Sequence, residues 1–427
     1  MTNMNFTPTI GLYTIASTQS SPKTGGSMLR RIQILTAFAL AVLISFRTSA
    51  ATDNLDKKTE LTVHEWGTFT SIAGEDGRAV EWLPFGGPTG RSDLPCFVER
   101  FDEFPEWLMS STVRMETPVL YFYSRRPTTV DVRVRFPQGL MTEWYPRPTE
   151  KDTTVNETLG YFDGITGLTW RGVKVLPEAA RAFPIESDAS HYYAARETGA
   201  APIRIGDQDE KFLFYRGVGT FPVPIAARLE QNGRVTVRRI GRNDIPAVIL
   251  FENRGGKTGF RAIGALKNEI TLDPPELQNN FAALQRRLNS LLIENGLYPS
   301  EAQAMIATWQ DLWFEEGTRV FYIVPRHDVD KVLPLNIDPK PVQLARVFVG
   351  RMEIVTTATE DLIATAIRTG DKTTLQAYAT FLGPVTKRLL ARSTTNDEKA
   401  QLEEFQTSSV KSAAYLRTTS RCEARPE

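Results

Sequence analysis

Three histidines, His64, His191 and His327, bound the acid–base and metal chemistry this chain can perform. His64 stands in the run HEWGTFT beside Glu65 and Trp66, and a neutral imidazole with a carboxylate nearby suits zinc. His191 stands in SHYYAARET, where Tyr192, Tyr193, Arg196 and Glu197 follow closely. If His64 and His191 bound one zinc ion together with Glu65 or Glu197, the metal would lower the pKa of a bound water and make it a nucleophile. Glu316 or Tyr192 would then move the proton. His327, in PRHDVD, has Asp328 and Asp330 as partners and is expected at the surface.

Each of these residues also has a purely structural reading. A histidine beside a tryptophan on a sheet face is often just a hydrogen-bonded neighbour. Glu65 shares its face with Val63 and Phe69, so a buried Glu65 needs a cation such as Arg114 or Arg133. Glu315 and Glu316 end a helix, where the dipole disfavours negative charge, and salt bridges to Arg319 or Arg326 would answer that. The chain carries no HExxH, GxSxG, P-loop or GxGxxG pattern, which excludes several common enzyme classes. In a non-catalytic reading Trp66, Tyr193 and Arg196 would bind a glycan or a protein. Trp66, Trp82, Trp107, Trp144 and Trp170, if exposed, would be stacking platforms for sugars; if buried they are core.

The elements that must position these residues read as α+β: an antiparallel β-sandwich-like N-terminal and middle part, then a mainly helical C-terminal part. Short alternating runs dominate residues 61–266. Val130, Val132, Val134 and Phe136 point one way and Asp131, Arg133 and Arg135 the other, which is a strand with one wet face. Leu140 to Tyr145 is expected as its hairpin partner. Asn232-Gly233 is a hairpin turn. Residues 146–210 read mainly as long loops, with a strand near Gly167 to Val175. The pattern changes at Asp273, where Asp273-Pro274-Pro275-Glu276 predicts a helix start, and a second helix is predicted from a capping box of Ser300 and Gln303. Strands are expected over Thr318 to Val324 and Val342 to Val355, with helices from Thr357 onward. The resulting division is 1–51 for a leader, 52–210 for a β-rich part with long loops, 211–272 for a second β cluster that could join the same sandwich, and 273–427 for the mainly helical region.

Residues 28–51, MLRRIQILTAFALAVLISFRTSAA, have the basic start, apolar middle and small-residue end of a secretory signal peptide. The apolar run is too short for a span of roughly 20 residues, so no transmembrane segment is expected after its removal. Removal takes away Lys23, Arg30, Arg31 and Arg47 and no acid, turning a balance of 50 basic and 50 acidic side chains mildly acidic. An exported, mildly acidic chain argues against nucleic acid as partner. The two cysteines, Cys96 and Cys422, are free to pair in an oxidising compartment, and equally to stay apart.

HEWGTFTSIAGEDGRAVEWLPF, VRMETPVLYFYS, SHYYAARET and EAQAMIATWQDLWFEEGTRVFYIVPR together resemble a group of exported bacterial proteins of unknown function marked by an HEWGTFTS motif. The resemblance runs over most of the mature chain. It implies a bacterial, exported protein in the periplasm or outside the cell, and it brings no activity, ligand or catalytic residue. Two readings of function therefore stand side by side: a non-catalytic protein without cofactor that binds an envelope or extracellular glycan or protein, and a zinc-dependent hydrolase built on His64 and His191.

Overall fold

The computed structural model describes residues 60–84, 94–101, 109–156, 162–187 and 190–418. In chain order its strands are β1 (Thr62–Ile72), β2 (Glu99–Arg100), β3 (Val113–Tyr123), β4 (Thr128–Arg135), β5 (Gly139–Tyr145), β6 (Glu150–Asn156), β7 (Phe162–Val175), β8 (Ile203–Ile205), β9 (Gln208–Glu210), β10 (Leu213–Gly219), β11 (Ile225–Leu229), β12 (Val235–Arg239), β13 (Val248–Arg254), β14 (Lys257–Ile263), β15 (Glu269–Leu272), β16 (Gly317–Ile323), β17 (Leu335–Asp338) and β18 (Gln343–Ile354). The helices are α1 (Phe281–Glu294), α2 (Pro299–Trp313), α3 (Arg326–Val332), α4 (Thr357–Thr369), α5 (Lys372–Ala377), α6 (Leu382–Arg392) and α7 (Asn396–Thr418). The fold is α+β, with sheet in the N-terminal and middle parts and helices toward the C-terminus.

A nine-stranded sheet in the order β14-β13-β16-β18-β1-β3-β10-β5-β2 organises the molecule. β1 lies between β3, which is antiparallel to it, and β18, which is parallel. Strands from both sides of the expected boundaries at 210 and 272 thus sit in one sheet, and the described residues form one compact unit. One face of this sheet packs against a six-stranded sheet (β17-β4-β7-β8-β9, with β6 on β7) and a three-stranded one (β11-β12-β15). The other face is covered by α1 and α2, and a third apolar cluster holds α4 to α7 against Ile72 and Val355.

Local sequence explains much of this. Val130, Val132 and Val134 of β4 are buried, while Arg133 and Arg135 are exposed. Gly233 takes φ 78° in the turn joining β11 to β12, a conformation glycine adopts without a Cβ penalty. Tyr322 lies over Gly350, its register partner across β16 and β18, so closely that a Cβ there would come within 2.0 Å of the ring. Only glycine leaves room for that ring.

Several sequence expectations are corrected. β5 pairs with β10 and β2, and β4 pairs with β7 and β17, so the two are not a hairpin. β5 is buried along its whole length and occupies an interior sheet position, whereas β4 has the wet face of an outer layer. Residues 146–210 hold β6 to β9 besides their loops. The Asp273-Pro274-Pro275-Glu276 stretch belongs to no helix or strand, and helix α1 begins only at Phe281. Its backbone is engaged by β14: Arg261 Nε donates to the Pro274 carbonyl at 3.2 Å and the Asn279 N–H to that of Thr258 at 3.1 Å. The capping box of α2 is Tyr298 with Glu301, two positions before Ser300 and Gln303, because Pro299 supplies the first helical residue. The signal-peptide segment, Trp107 and Cys422 lie outside the described residues. Among the described residues, no helix is long and apolar enough to cross a membrane.

Candidate functional site

Alternation along β1 places His64 and Trp66 on the face toward α2, with Glu65 on the opposite face. Both environments are fully buried. Glu301, in the first turn of α2, binds Nδ1 of His64 at 2.8 Å through Oε2. A carboxylate can only accept, so Nδ1 carries the proton. The same carboxylate accepts from the Tyr298 N–H at 2.7 Å and from the Tyr123 hydroxyl at 2.8 Å. The imidazole is flanked by the Tyr298 ring at 4.4 Å and the Tyr123 ring at 5.4 Å. Burial and then the charge of Glu301 drive the Tyr123 phenol far above its ordinary value, so it serves as donor. His64 is thus tied to the capping apparatus of a helix.

Glu65 is neutralised by Arg346 of β18 and accepts from the Tyr215 hydroxyl. The expected partners are engaged elsewhere, Arg114 with Glu116 at 3.4 Å and Arg133 with Asp152 at 2.9 Å. Arg346 stands directly across from Glu65 in the parallel pairing of β1 and β18, a contact that strand alternation alone does not reveal. Glu316 accepts from the Gly255 N–H at 2.8 Å and Glu315 pairs with Arg351. Arg319 uses its guanidinium on the carbonyls of Trp313, Glu315 and Glu316, so a cation does meet the end of α2.

A 3-10 turn over His191–Arg196, capped by the Ser190 hydroxyl, docks on the C-terminal half of α2, away from His64. Nδ1 of His191 lies 3.0 Å from the Thr308 carbonyl and Nε2 lies 3.3 Å from Asp311. Tyr298, bound at the His64 end, and Thr308 are ten residues apart, about 15 Å along a helix rising 1.5 Å per residue. Two imidazoles held at those places do not reach one ion with zinc–nitrogen bonds near 2.1 Å. Glu65 faces away from His64, and Glu197 is exposed. Among the described residues no group of three or more His, Cys, Asp or Glu side chains is arranged to hold a metal ion.

The turn builds something different. Arg196 is bound on both sides by Glu210, at 2.9 Å and 2.6 Å, and Tyr192 donates to the same carboxylate at 3.0 Å. Its guanidinium sits within 5.0–5.8 Å of the rings of Phe97, Phe183, Tyr192 and Tyr193. Burial raises the Glu210 carboxyl above its ordinary value despite these bonds. Beside this box opens a cavity of about 660 Å³ lined by Arg181, Ala182, Phe183, Ile185, Arg196, Glu197, Thr198 and Lys211. It is a wide groove open to solvent rather than an enclosed chamber, with room for a short segment of a larger ligand. Burial lowers the Lys211 ammonium below its ordinary value.

Arg196 and Glu197, both singled out in the sequence, line this cavity, while Tyr192 and Tyr193 support its wall. Tyr192 is buried and hydrogen-bonded, and the Tyr193 hydroxyl accepts from the Glu186 N–H at 3.0 Å. Trp66 is buried, so it cannot present a stacking surface; Trp82, Trp144 and Trp170 are core as well. Arg181, Phe183, Ile185 and Lys211 were not legible as site residues, because they flank the turn at a distance and follow no motif. His327 is exposed beside Asp328, as its surroundings implied.

No family model and no curated protein matches the sequence. Among solved structures, the chain is similar to a yeast delta-COP-I mu-homology domain complexed with a Dsl1 WxWxV peptide (TM-score 0.25, 8% identity, covering 69% of this chain and 96% of that one). It is also similar to the Fcho1 Mu homology domain of Danio rerio with bound Eps15 peptide (TM-score 0.27, 8% identity, 70% and 97%). Likenesses this distant carry no argument about function.

Proposed function

We propose that this is an exported bacterial protein, working in the periplasm or outside the cell as a non-catalytic binding protein for an envelope or extracellular protein or glycan. The observation that carries the reading is the cavity beside the 3-10 turn, lined by three cationic side chains. Among its described lining residues no nucleophile is paired with a base. The acid–base groups that drew attention in the sequence have structural partners: His64 with Glu301, Glu65 with Arg346, Tyr192 with Glu210. Export rests on the signal-peptide character of residues 28–51 and on the HEWGTFTS resemblance.

The test has two arms. Cell fractionation should find the processed chain outside the cytoplasm, and retention in the cytoplasm would end the export reading. Immobilised wild-type protein should retain components of an envelope fraction that an Arg181→Gln/Lys211→Met variant does not retain; identical retention by both would remove the cavity from the function.

A further inference from the structure

We infer that this cavity takes a peptide segment in which a carboxylate side chain neighbours an aliphatic one. The inference rests on the binding reading above and narrows its ligand. Its first support is a pair of cations that the fold leaves poorly satisfied. Arg181 meets Asp209 only at 3.7 Å, and Asp209 is already gripped by Arg204 at 2.8 Å and 2.6 Å. Nε of Arg181 is buried without a hydrogen-bond partner, which is costly for a charged donor. Lys211 is half-buried; the charges of Glu197 and Glu210 act on it from beyond 4.0 Å, and burial still holds its ammonium below the ordinary value. Arg196, by contrast, is saturated by Glu210 and serves as wall.

The charge count selects a small anion. Among the described residues the lining offers one exposed acid, Glu197, against Arg181 and Lys211, so the surplus suits one carboxylate better than a polyanion. A carboxylate seated in the cavity would meet the solvent-facing part of the Arg181 guanidinium and the Lys211 ammonium, while the buried Nε stays out of its reach.

The apolar wall selects the neighbour. Ile185 is 77% exposed, and it lines the cavity together with Ala182 and Phe183. A free anion would leave that surface wet, whereas an aliphatic side chain next to the acid would cover it. A sugar is the poorer fit, because glycan stacking would fall to the partly buried Phe183 alone. The described tryptophans, Trp66, Trp82, Trp144, Trp170, Trp309 and Trp313, are all buried.

Selection of a displayed library of random heptapeptides on the immobilised wild-type protein tests this directly. Sequences with Asp or Glu next to Leu, Ile, Val or Met should enrich at least about tenfold over the input, the order of magnitude of one charge-assisted contact. On Arg181→Gln/Lys211→Met the enrichment should vanish, and on Ile185→Ser the acidic residue should persist while the aliphatic preference drops. Near-UV circular dichroism identical to wild type shows that the variants fold. Enrichment without an acidic–aliphatic pair, enrichment that survives the double variant, or no enrichment at all overturns the inference. In that event an envelope fraction still retained through Arg181 and Lys211 leaves the broader binding reading standing.

Discussion

Glu65 and Arg346 face one another in register on parallel strands β1 and β18, both buried, and form an ion pair across 281 residues of chain. Arg346 also donates to Asp330 and to the Leu333 carbonyl, each at 2.8 Å, while Tyr215 donates to Glu65. Burial, followed by the charge of Glu65, holds the Tyr215 phenol far above its ordinary value, so it remains protonated and donating. The pair thus joins two adjacent central strands of the sheet that are the first and the last in chain order.

Removing one partner leaves the other charge buried and uncompensated, which typically costs about 3–5 kcal/mol. Arg346→Met is therefore expected to lower the unfolding free energy by that order, measured by urea denaturation. Glu65→Gln/Arg346→Met should recover part of the loss, because it removes both charges. A double variant as unstable as the sum of the two single ones would show that the pair is not coupled.

The second prediction concerns His64 and Glu301. Glu301→Ala removes the acceptor for His64, Tyr123 and the Tyr298 N–H, and buried donors left unmade cost about 1–3 kcal/mol each. Of these donors only His64 is fully buried, and the Tyr123 hydroxyl and Tyr298 N–H are part-exposed and can turn to water, so we expect a loss of about 2–4 kcal/mol, with Glu301→Gln milder because it keeps one acceptor oxygen. Excess zinc should leave the thermal midpoint unchanged in wild type and in His64→Ala alike, since a ligand stabilises a fold only by binding it. A zinc-dependent rise confined to proteins with His64 would give that imidazole a metal role.

The contrast between what sequence alone shows and what it hides follows from contact range. Alternation in β4, the turn at Asn232-Gly233 and the opposite faces of His64 and Glu65 depend on neighbours in sequence, and all three are seen in the structure. Glu301 lies 237 residues from His64, and Arg346 lies on a strand that reaches β1 by a parallel crossover. No periodicity encodes such meetings. The tryptophans show the same limit: composition and spacing do not distinguish a stacking face from a core residue. The cavity was half legible, because SHYYAARET reads as a local cluster, while Arg181, Ile185 and Lys211 arrive from either side of it.

Close packing at β16 and β18 supplies the third prediction. A methyl group at position 350 would fall within 2.0 Å of the Tyr322 ring, and Tyr322 is itself buried in the strand pairing. The ring has to move or the strands have to part. Gly350→Ala is expected to cost about 1–3 kcal/mol as an overpacking change. The double variant Gly350→Ala/Tyr322→Leu should cost less than the two single changes added together, by urea denaturation. Strict additivity would place the strain elsewhere.

The last prediction uses Lys211. Burial lowers its folded-state pKa below the ordinary lysine value. At pH values below both, the side chain is charged in the folded and unfolded states, and the fold carries the desolvation cost. Between the lowered value and about 10.4, the unfolded chain holds a proton that the folded one has released, so stability contributed by this group rises with pH. Lys211→Met should accordingly be more stable than wild type near neutral pH, with the difference shrinking as pH approaches about 10.4. Urea denaturation of both proteins across that window measures it. A stability difference that stays constant with pH would mean that Lys211 is not desolvated in the cavity. A carboxylate bound beside the ammonium favours its charged form, so an acidic peptide selected on the cavity should stabilise wild type at neutral pH and leave Lys211→Met nearly unaffected.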